Sequence, residues 1–371
     1  MRPSAESALS ILRFLQLLLP LLFPPTLLAD PQTDPAPAPA PGSLRIATFN
    51  TELSRPGPGL LLRDINRGKD PQIAAVVAVI AATRPDILAL QGIDWDYDNL
   101  ALKALEQRLA AAGAPYPHLF AQQPNAGLAT PLDLDGDQRR GGAGDSQGYG
   151  NYTGRGGIAV LSRYPIRTEE ISDLTPLLWR DIPGATLPRH PDGSAFPSPQ
   201  AQAIQRLSST AHWVLPIALD AETRLTLLSF QAAPPLFDGP EDRNGLRNAD
   251  EILLWQRFLD GQLPSTLGPP PTQAFVLVGG TNLDPDTGDG NRAAIAALLQ
   301  DPRLQDPRPA SSQAGTKTVD WGDERRMRVD YVLPSRDWQV TGGGVVWPDG
   351  AVSAAATASR HRLVWVDITL D

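Results

Sequence analysis

Arg328-Val329-Asp330-Tyr331-Val332-Leu333-Pro334-Ser335 and, further on, Ser359-Arg360-His361-Arg362-Leu363-Val364-Trp365 each set one polar side chain at the edge of a short apolar, β-branched run. That pattern predicts a strand presenting a side chain at its end. An aspartate and a histidine held this way form a plausible pair, because the carboxylate fixes the imidazole tautomer and raises its basicity, so the ring can take a proton from water. Alone, the same residues read as a turn aspartate and a surface histidine. The segments around them decide between the two.

Upstream, Leu44-Arg45-Ile46-Ala47-Thr48-Phe49-Asn50 is a buried strand ending in a polar residue, and Asp86-Ile87-Leu88-Ala89-Leu90-Gln91 is a second. Gly156-Gly157-Ile158-Ala159-Val160-Leu161-Ser162-Arg163-Tyr164-Pro165-Ile166 reads as a strand and turn, Leu227-Leu228-Ser229-Phe230 leads into Gln231, and Ala274-Phe275-Val276-Leu277-Val278 leads into Gly279-Gly280-Thr281-Asn282. Helices are expected over 72–83, 98–112, 249–259 and 291–299, the first closed by Arg84-Pro85. Taken in order, these segments resemble the motifs of the endonuclease/exonuclease/phosphatase superfamily, the group with the deoxyribonuclease-I-like fold. The resemblance runs from Leu44 to Ile368. It implies an α/β protein, a four-layer sandwich of two packed mixed β-sheets flanked by helices.

The family hydrolyses phosphoesters with a divalent ion, so the resemblance also implies roles. Asn50 and Asn282 match the asparagines that touch metal or phosphate, and Asp330 and His361 match the carboxylate-supported imidazole. Four other positions depart from the pattern. Gly92 stands where the family has its main metal glutamate, Gln231 where it has a phosphate-contacting histidine, Gly280 where it has a motif aspartate, and Arg360 where it has an aspartate before the last histidine. A magnesium or manganese ion, the cofactor expected if the protein is active, binds mostly through carboxylates and water; Asp94, Asp96 and Glu52 are the candidate substitutes. Gln231 still offers an amide to phosphate but no titrating proton near neutrality. Hydrolysis is therefore expected to be impaired.

The exchanges make the protein's own site about four charge units more positive, against about two that a divalent cation would supply. Phosphate binding without a metal is thus expected, with Arg360 as a bidentate clamp and Gln231 beside it. Three readings follow: a non-hydrolysing protein that binds a phosphorylated small molecule or a protein partner, a rewired metal-dependent phosphodiesterase or phosphatase, and a structural module for protein contacts.

Composition narrows the partners. The chain has 371 residues, 42% of them apolar, enough for a large core, and a net charge of -9 with pI near 5.0 disfavours nucleic acid. It has no cysteine, so any metal must sit on oxygen or imidazole. Residues 1–29 carry Arg2 and a proline-interrupted apolar run ending near Ala29, which fits an export signal, with an uncleaved N-terminal anchor the lesser possibility. Residues 30–43 read as an extended Pro/Ala tether, leaving 44–371 as the domain, with no membrane span once the signal is removed and a periplasmic or extracellular location. Asp133-Leu134-Asp135-Gly136-Asp137 is similar to part of a calcium loop, but no bidentate glutamate follows, and a solvated acidic loop is the preferred reading.

Overall fold

The structure, a computed structural model, describes residues 36–322, 325–350 and 353–370. The expected export signal, residues 1–29, and the first part of the tether lie outside the described residues. The strands in chain order are β1 (Leu44–Asn50), β2 (Ile87–Ile93), β3 (His118–Phe120), β4 (Gly157–Ser162), β5 (Ser172–Asp173), β6 (His212–Ala218), β7 (Arg224–Gln231), β8 (Phe275–Gly280), β9 (Val319–Asp320), β10 (Arg326–Met327), β11 (Asp330–Pro334), β12 (Trp338–Val345) and β13 (Val364–Leu370). The helices are α1 (Leu60–Arg67), α2 (Pro71–Thr83), α3 (Leu100–Ala111), α4 (Pro199–Ile204), α5 (Arg243–Leu259), α6 (Arg292–Leu299) and α7 (Ala354–Ala358).

One sheet runs β12-β13-β1-β2-β4-β3 and the other β11-β8-β7-β6-β5. Both are mixed, because β1 pairs with β2 and β7 with β8 in parallel while the other neighbours are antiparallel. The period of two sorts the side chains into layers. Ile46, Ile87, Ala89 and Val160 of the first sheet pack against Leu215, Leu227, Val276 and Val332 of the second. Their alternates Phe49, Leu88, Leu90 and Leu161 face α1, α2, α3 and α7. On the other side, Leu228, Phe230, Leu277 and Leu333 face Ile252, Trp255 and Phe258 of α5 and Ile295 and Leu298 of α6. The result is the expected four-layer sandwich.

Local signals explain most element ends. Asp70 caps α2 by accepting from the amides of Gln72 (2.8 Å) and Ile73 (3.1 Å), with Pro71 in the first turn. Two features differ from the sequence reading. Helix α5 begins at Arg243, well before residue 249, because its inward face carries Arg247, Asn248, Asp250 and Glu251 and so lacks the apolar pattern of an inner face. The end of the expected tether is not free: the Ala36 amide donates to Ala82 O (3.2 Å), Ala36 packs on the core, and Pro37 O accepts from Arg45 Nη2 (2.6 Å). A Pro/Ala segment lacks side-chain anchors, but its carbonyls and methyl groups suffice for this contact. No helix among the described residues is long and apolar enough to cross a membrane.

Candidate functional site

Both parallel strand pairs point their C-terminal ends at one cleft of about 940 Å³, lined by Asn50 at the end of β1, Gly92 near the end of β2, Gln231 at the end of β7, and Asn282 just after β8. Its walls come from the loop 122–156, including Asp135, Asp137, Tyr149 and Arg155, and from the turn before α5, including Phe237, Asp238, Glu241 and Arg243. Long loops on a rigid sheet edge are where ligand selectivity is normally built.

Asp330 and His361 come together at one side of this floor. The His361 Nδ1 lies 2.9 Å from Asp330 Oδ2, which also accepts from Thr318 Oγ1 (2.9 Å). The ring is buried, with Trp321 edge-on at 5.1 Å, and its Nε2 faces Asn50 Nδ2 at 3.4 Å. An imidazole bonded through Nδ1 to a carboxylate keeps Nε2 as its acceptor. Asn50 thus stands between the imidazole and the cleft, which His361 itself does not line.

Gln231, Gly280 and Asp330 form one row across β7, β8 and β11, with Gly280 paired to both neighbours. A Cβ on residue 280 would collide with Gln231 Oε1, so the glutamine side chain fills the space that an aspartate there would use. Gln231 Oε1 and Asp330 Oδ1 are buried without a hydrogen-bond partner among the described residues. Asn282 adopts a left-handed conformation (φ 52°), and its Nδ2 donates to Ala232 O at 2.7 Å.

At the floor, around Asn50, the donor set does not fit a catalytic divalent cation, which needs several convergent oxygens. Gly92 sits at a register shift in β2 with φ +69°, and a Cβ there would meet Asn50 Oδ1 at 2.5 Å and the backbone nitrogen of Glu52 at 2.9 Å. The expected substitute ligands already have partners within the protein, Glu52 at the cleft itself. Asp94 binds the loops, accepting from Ser54 Oγ (2.7 Å), Arg55 N (2.8 Å) and Gly156 N (2.9 Å). Asp96 caps α3 through the amides of Leu100 (2.6 Å) and Ala101 (2.8 Å).

Glu52 is bound to Arg360, and this corrects the expectation for both residues. Glu52 Oε2 accepts from Arg360 N (2.8 Å) and Ser359 Oγ (3.0 Å), while Oε1 accepts from Arg360 Nε (2.9 Å) and Nη2. Burial pushes the Glu52 carboxyl up, but the Arg360 hydrogen bonds and charge outweigh it and hold the group below its ordinary value. Arg360 also stacks over Trp321 at 4.8 Å, its side chain is 61% exposed, and it does not line the cleft. It is therefore not poised as a phosphate clamp. The sequence hid this because Glu52 lies far from Arg360 in the chain, on a left-handed residue (φ 49°).

The Asp133, Asp135 and Asp137 carboxylates come within 4.8 Å of one another. Loop amides account for their placement: Asp133 accepts from Gly136 (2.6 Å) and Gln138 (2.9 Å), and Asp137 from Arg139 (2.7 Å). Two further groups shape the cleft and carry no sequence motif. Buried Arg247 donates to the carbonyls of Gln147 (2.5 Å), Arg206 (2.9 Å), Leu207 (2.7 Å) and Ser208 (3.0 Å). One turn on, Glu251 accepts from the amides of Ser209 (2.5 Å) and Ala233 (2.7 Å). Burial lowers the Arg247 guanidinium to about 10, so it stays charged, and raises the Glu251 carboxyl. Their only advance signal was a run of charges on the inner face of a helix.

A sequence profile described as Endonuclease/Exonuclease/phosphatase family matches residues 47–361. No curated protein sequence matches the chain. Among solved structures, an endonuclease/exonuclease/phosphatase from Beutenbergia cavernae is similar at 17% identity and TM-score 0.52, over 88% of this chain and 72% of that one. A family protein from Leptotrichia buccalis has 17% identity and TM-score 0.49, over 88% of this chain and 100% of that one. Beta toxin from Staphylococcus aureus, solved with bound magnesium ions, has 10% identity and TM-score 0.46, over 89% and 100%.

Proposed function

Because the chain belongs to the endonuclease/exonuclease/phosphatase family, we propose that it is a member that no longer hydrolyses phosphoesters and uses the family's cleft to bind a phosphate-bearing ligand. The observation that carries this reading is the left-handed Gly92, whose missing Cβ would strike Asn50 and the Glu52 backbone. A carboxylate cannot be placed there without rebuilding the turn. With Asp94 and Asp96 bound by loop and helix groups and Glu52, which lines the cleft, paired with Arg360, a metal-assisted mechanism lacks free carboxylate ligands at the floor.

What remains suits binding. Asn50, Gln231 and Asn282 line the floor with amide groups able to donate to phosphate oxygens, and Arg243, whose Nε has no partner among the described residues, lines the wall. His361, backed by Asp330 and capped by Asn50, holds that floor in place. Export, read from residues 1–29, belongs to the same proposal.

The test is release of nitrophenol from mono- and bis-nitrophenyl phosphate with magnesium or manganese, alongside manganese binding followed by electron paramagnetic resonance. The expected result is no turnover above that of His361→Ala and no tight manganese site. Metal-dependent turnover abolished by His361→Ala would overturn the proposal.

A further inference from the structure

A phosphate group seated in the cleft is best held by a cation beside it, and the arginines there are not equivalent. Arg360 is paired with Glu52 and does not line the cleft. Arg247 gives N–H groups to the carbonyls of Gln147, Arg206, Leu207 and Ser208, and Arg243 gives Nη1 to Leu134 O at 2.7 Å. Arg155 lines the cleft as well, yet its guanidinium forms no hydrogen bond or ion pair with a described residue and lies over the Tyr149 ring at 6.0 Å. The carboxylates next to its turn are already taken. Asp94 accepts from Ser54 Oγ, Arg55 N and Gly156 N, and Glu52 accepts from Ser359 and Arg360.

The backbone fixes where this arginine stands. Gly154 N donates to Ala126 O (3.0 Å), Gly154 O accepts from Trp95 N (2.8 Å), and Gly156 N donates to Asp94 Oδ1 (2.9 Å). Tyr152 Oη, at the start of the same turn, donates to Arg55 O (2.8 Å). Both glycines flanking Arg155 have positive φ (+96° and +60°), and a Cβ on residue 154 would collide with Trp95 O, so only glycine lets the turn lie this close to its neighbour. Asp94 and Trp95 follow directly on β2. Arg155 is therefore rooted in a turn clamped just beyond Gly92, the position where the family pattern has its metal glutamate.

We infer that Arg155 is the cation that receives the phosphate of the ligand. Its planar fork offers paired N–H groups to two phosphate oxygens, and no group of the protein competes for them among the described residues. The inference rests on the phosphate reading of this cleft and assigns to Arg155 the charge that Arg360 does not supply.

The full-length protein is titrated with inorganic phosphate by calorimetry at about pH 5.5 and about pH 8.5, where phosphate carries one and two charges for the most part. Arg155→Gln is expected to weaken binding at least about tenfold at the higher pH and by less at the lower, because a guanidinium gains more from the dianion. Arg155→Lys, which keeps the charge but not the fork, should fall between the two proteins. Arg224→Gln removes an exposed arginine paired with Glu170, away from the cleft lining, and should bind as the unaltered protein does. The urea midpoint of Arg155→Gln should not move, since no bond within the protein is lost. An Arg155→Gln protein that binds phosphate as tightly as the unaltered one overturns the inference and spares the phosphate reading. A loss of the same size at both pH values, or one accompanied by a lower urea midpoint, marks Arg155 as structural and overturns it too. No phosphate binding by the unaltered protein removes both.

Discussion

Gly92→Ala tests the central argument without any knowledge of the ligand. Two penalties are legible at this position. The backbone is left-handed (φ +69°), which costs a residue with a Cβ about 1–2 kcal/mol. The new methyl also falls 2.5 Å from Asn50 Oδ1, 2.9 Å from Glu52 N and 3.2 Å from Glu52 Cα. The asparagine can swing aside, at the expense of its contact with His361, but the Glu52 backbone is already left-handed (φ 49°) and has little room to shift. Together these predict a loss of about 3–4 kcal/mol. Gly113 provides the control, because it is also left-handed (φ +82°) and a methyl added there would have nothing within 4 Å; Gly113→Ala should cost only the conformational part, about 1–2 kcal/mol. Urea unfolding of the three proteins, compared at equal m-value, gives the difference directly. A Gly92→Ala protein no less stable than Gly113→Ala would show that the turn accepts a side chain, and the case against a carboxylate at residue 92 would fail.

Other outcomes follow from the buried charges. His212 is fully enclosed, and burial lowers its imidazole from 6.5 to about 3. The unfolded chain therefore binds that proton more readily, so stability is intact above about pH 6.5 and is lost as pH falls from there toward 3, by about 1.4 kcal/mol per pH unit; His212→Gln should flatten this limb between pH 6 and 4.5 in a denaturation series. Arg360→Ala removes an exposed arginine from a half-buried Glu52 that keeps the Ser359 hydroxyl and the residue-360 amide, so unfolding should shift by about 1 kcal/mol, and phosphate affinity measured by calorimetry should not fall. Arg247→Met takes a donor from four loop carbonyls, of which, among the described residues, Ser208 O alone keeps another in Asn125 Nδ2, and should cost roughly 3–5 kcal/mol in thermal or chemical unfolding.

The fold was readable in the chain because strands and helices of this protein are coded locally. The alternation of Ile46 with Ala47 and Phe49, or of Leu227 with Leu228 and Phe230, assigns faces directly. The departures at Gly92, Gln231, Gly280 and Arg360 were equally visible as letters. Their meaning was not, because a residue's role depends on who reaches it through space. Counting charge made Arg360 a free cation, whereas Glu52, distant in sequence, binds it. Asp94 and Asp96 had the right chemistry for a metal, but nearby amides claim their oxygens. The polar inner face of α5 masked its first two turns, since periodicity detects apolar burial and is blind to buried Arg247 and Glu251.

The interlocking of Gly92 with Glu52 and of Gly280 with Gln231 sets the order in which side chains could be changed at this floor. An aspartate arriving alone at residue 280 runs into the Gln231 amide and must displace it, and a glutamate arriving alone at residue 92 collides with the Glu52 backbone at 2.9 Å. Neighbouring substitutions of this kind are not additive. Each such change made singly is therefore a step down in stability until a neighbouring change relieves the collision, so a carboxylate can enter this floor only together with a rearranged Gln231 or a rebuilt turn at Glu52.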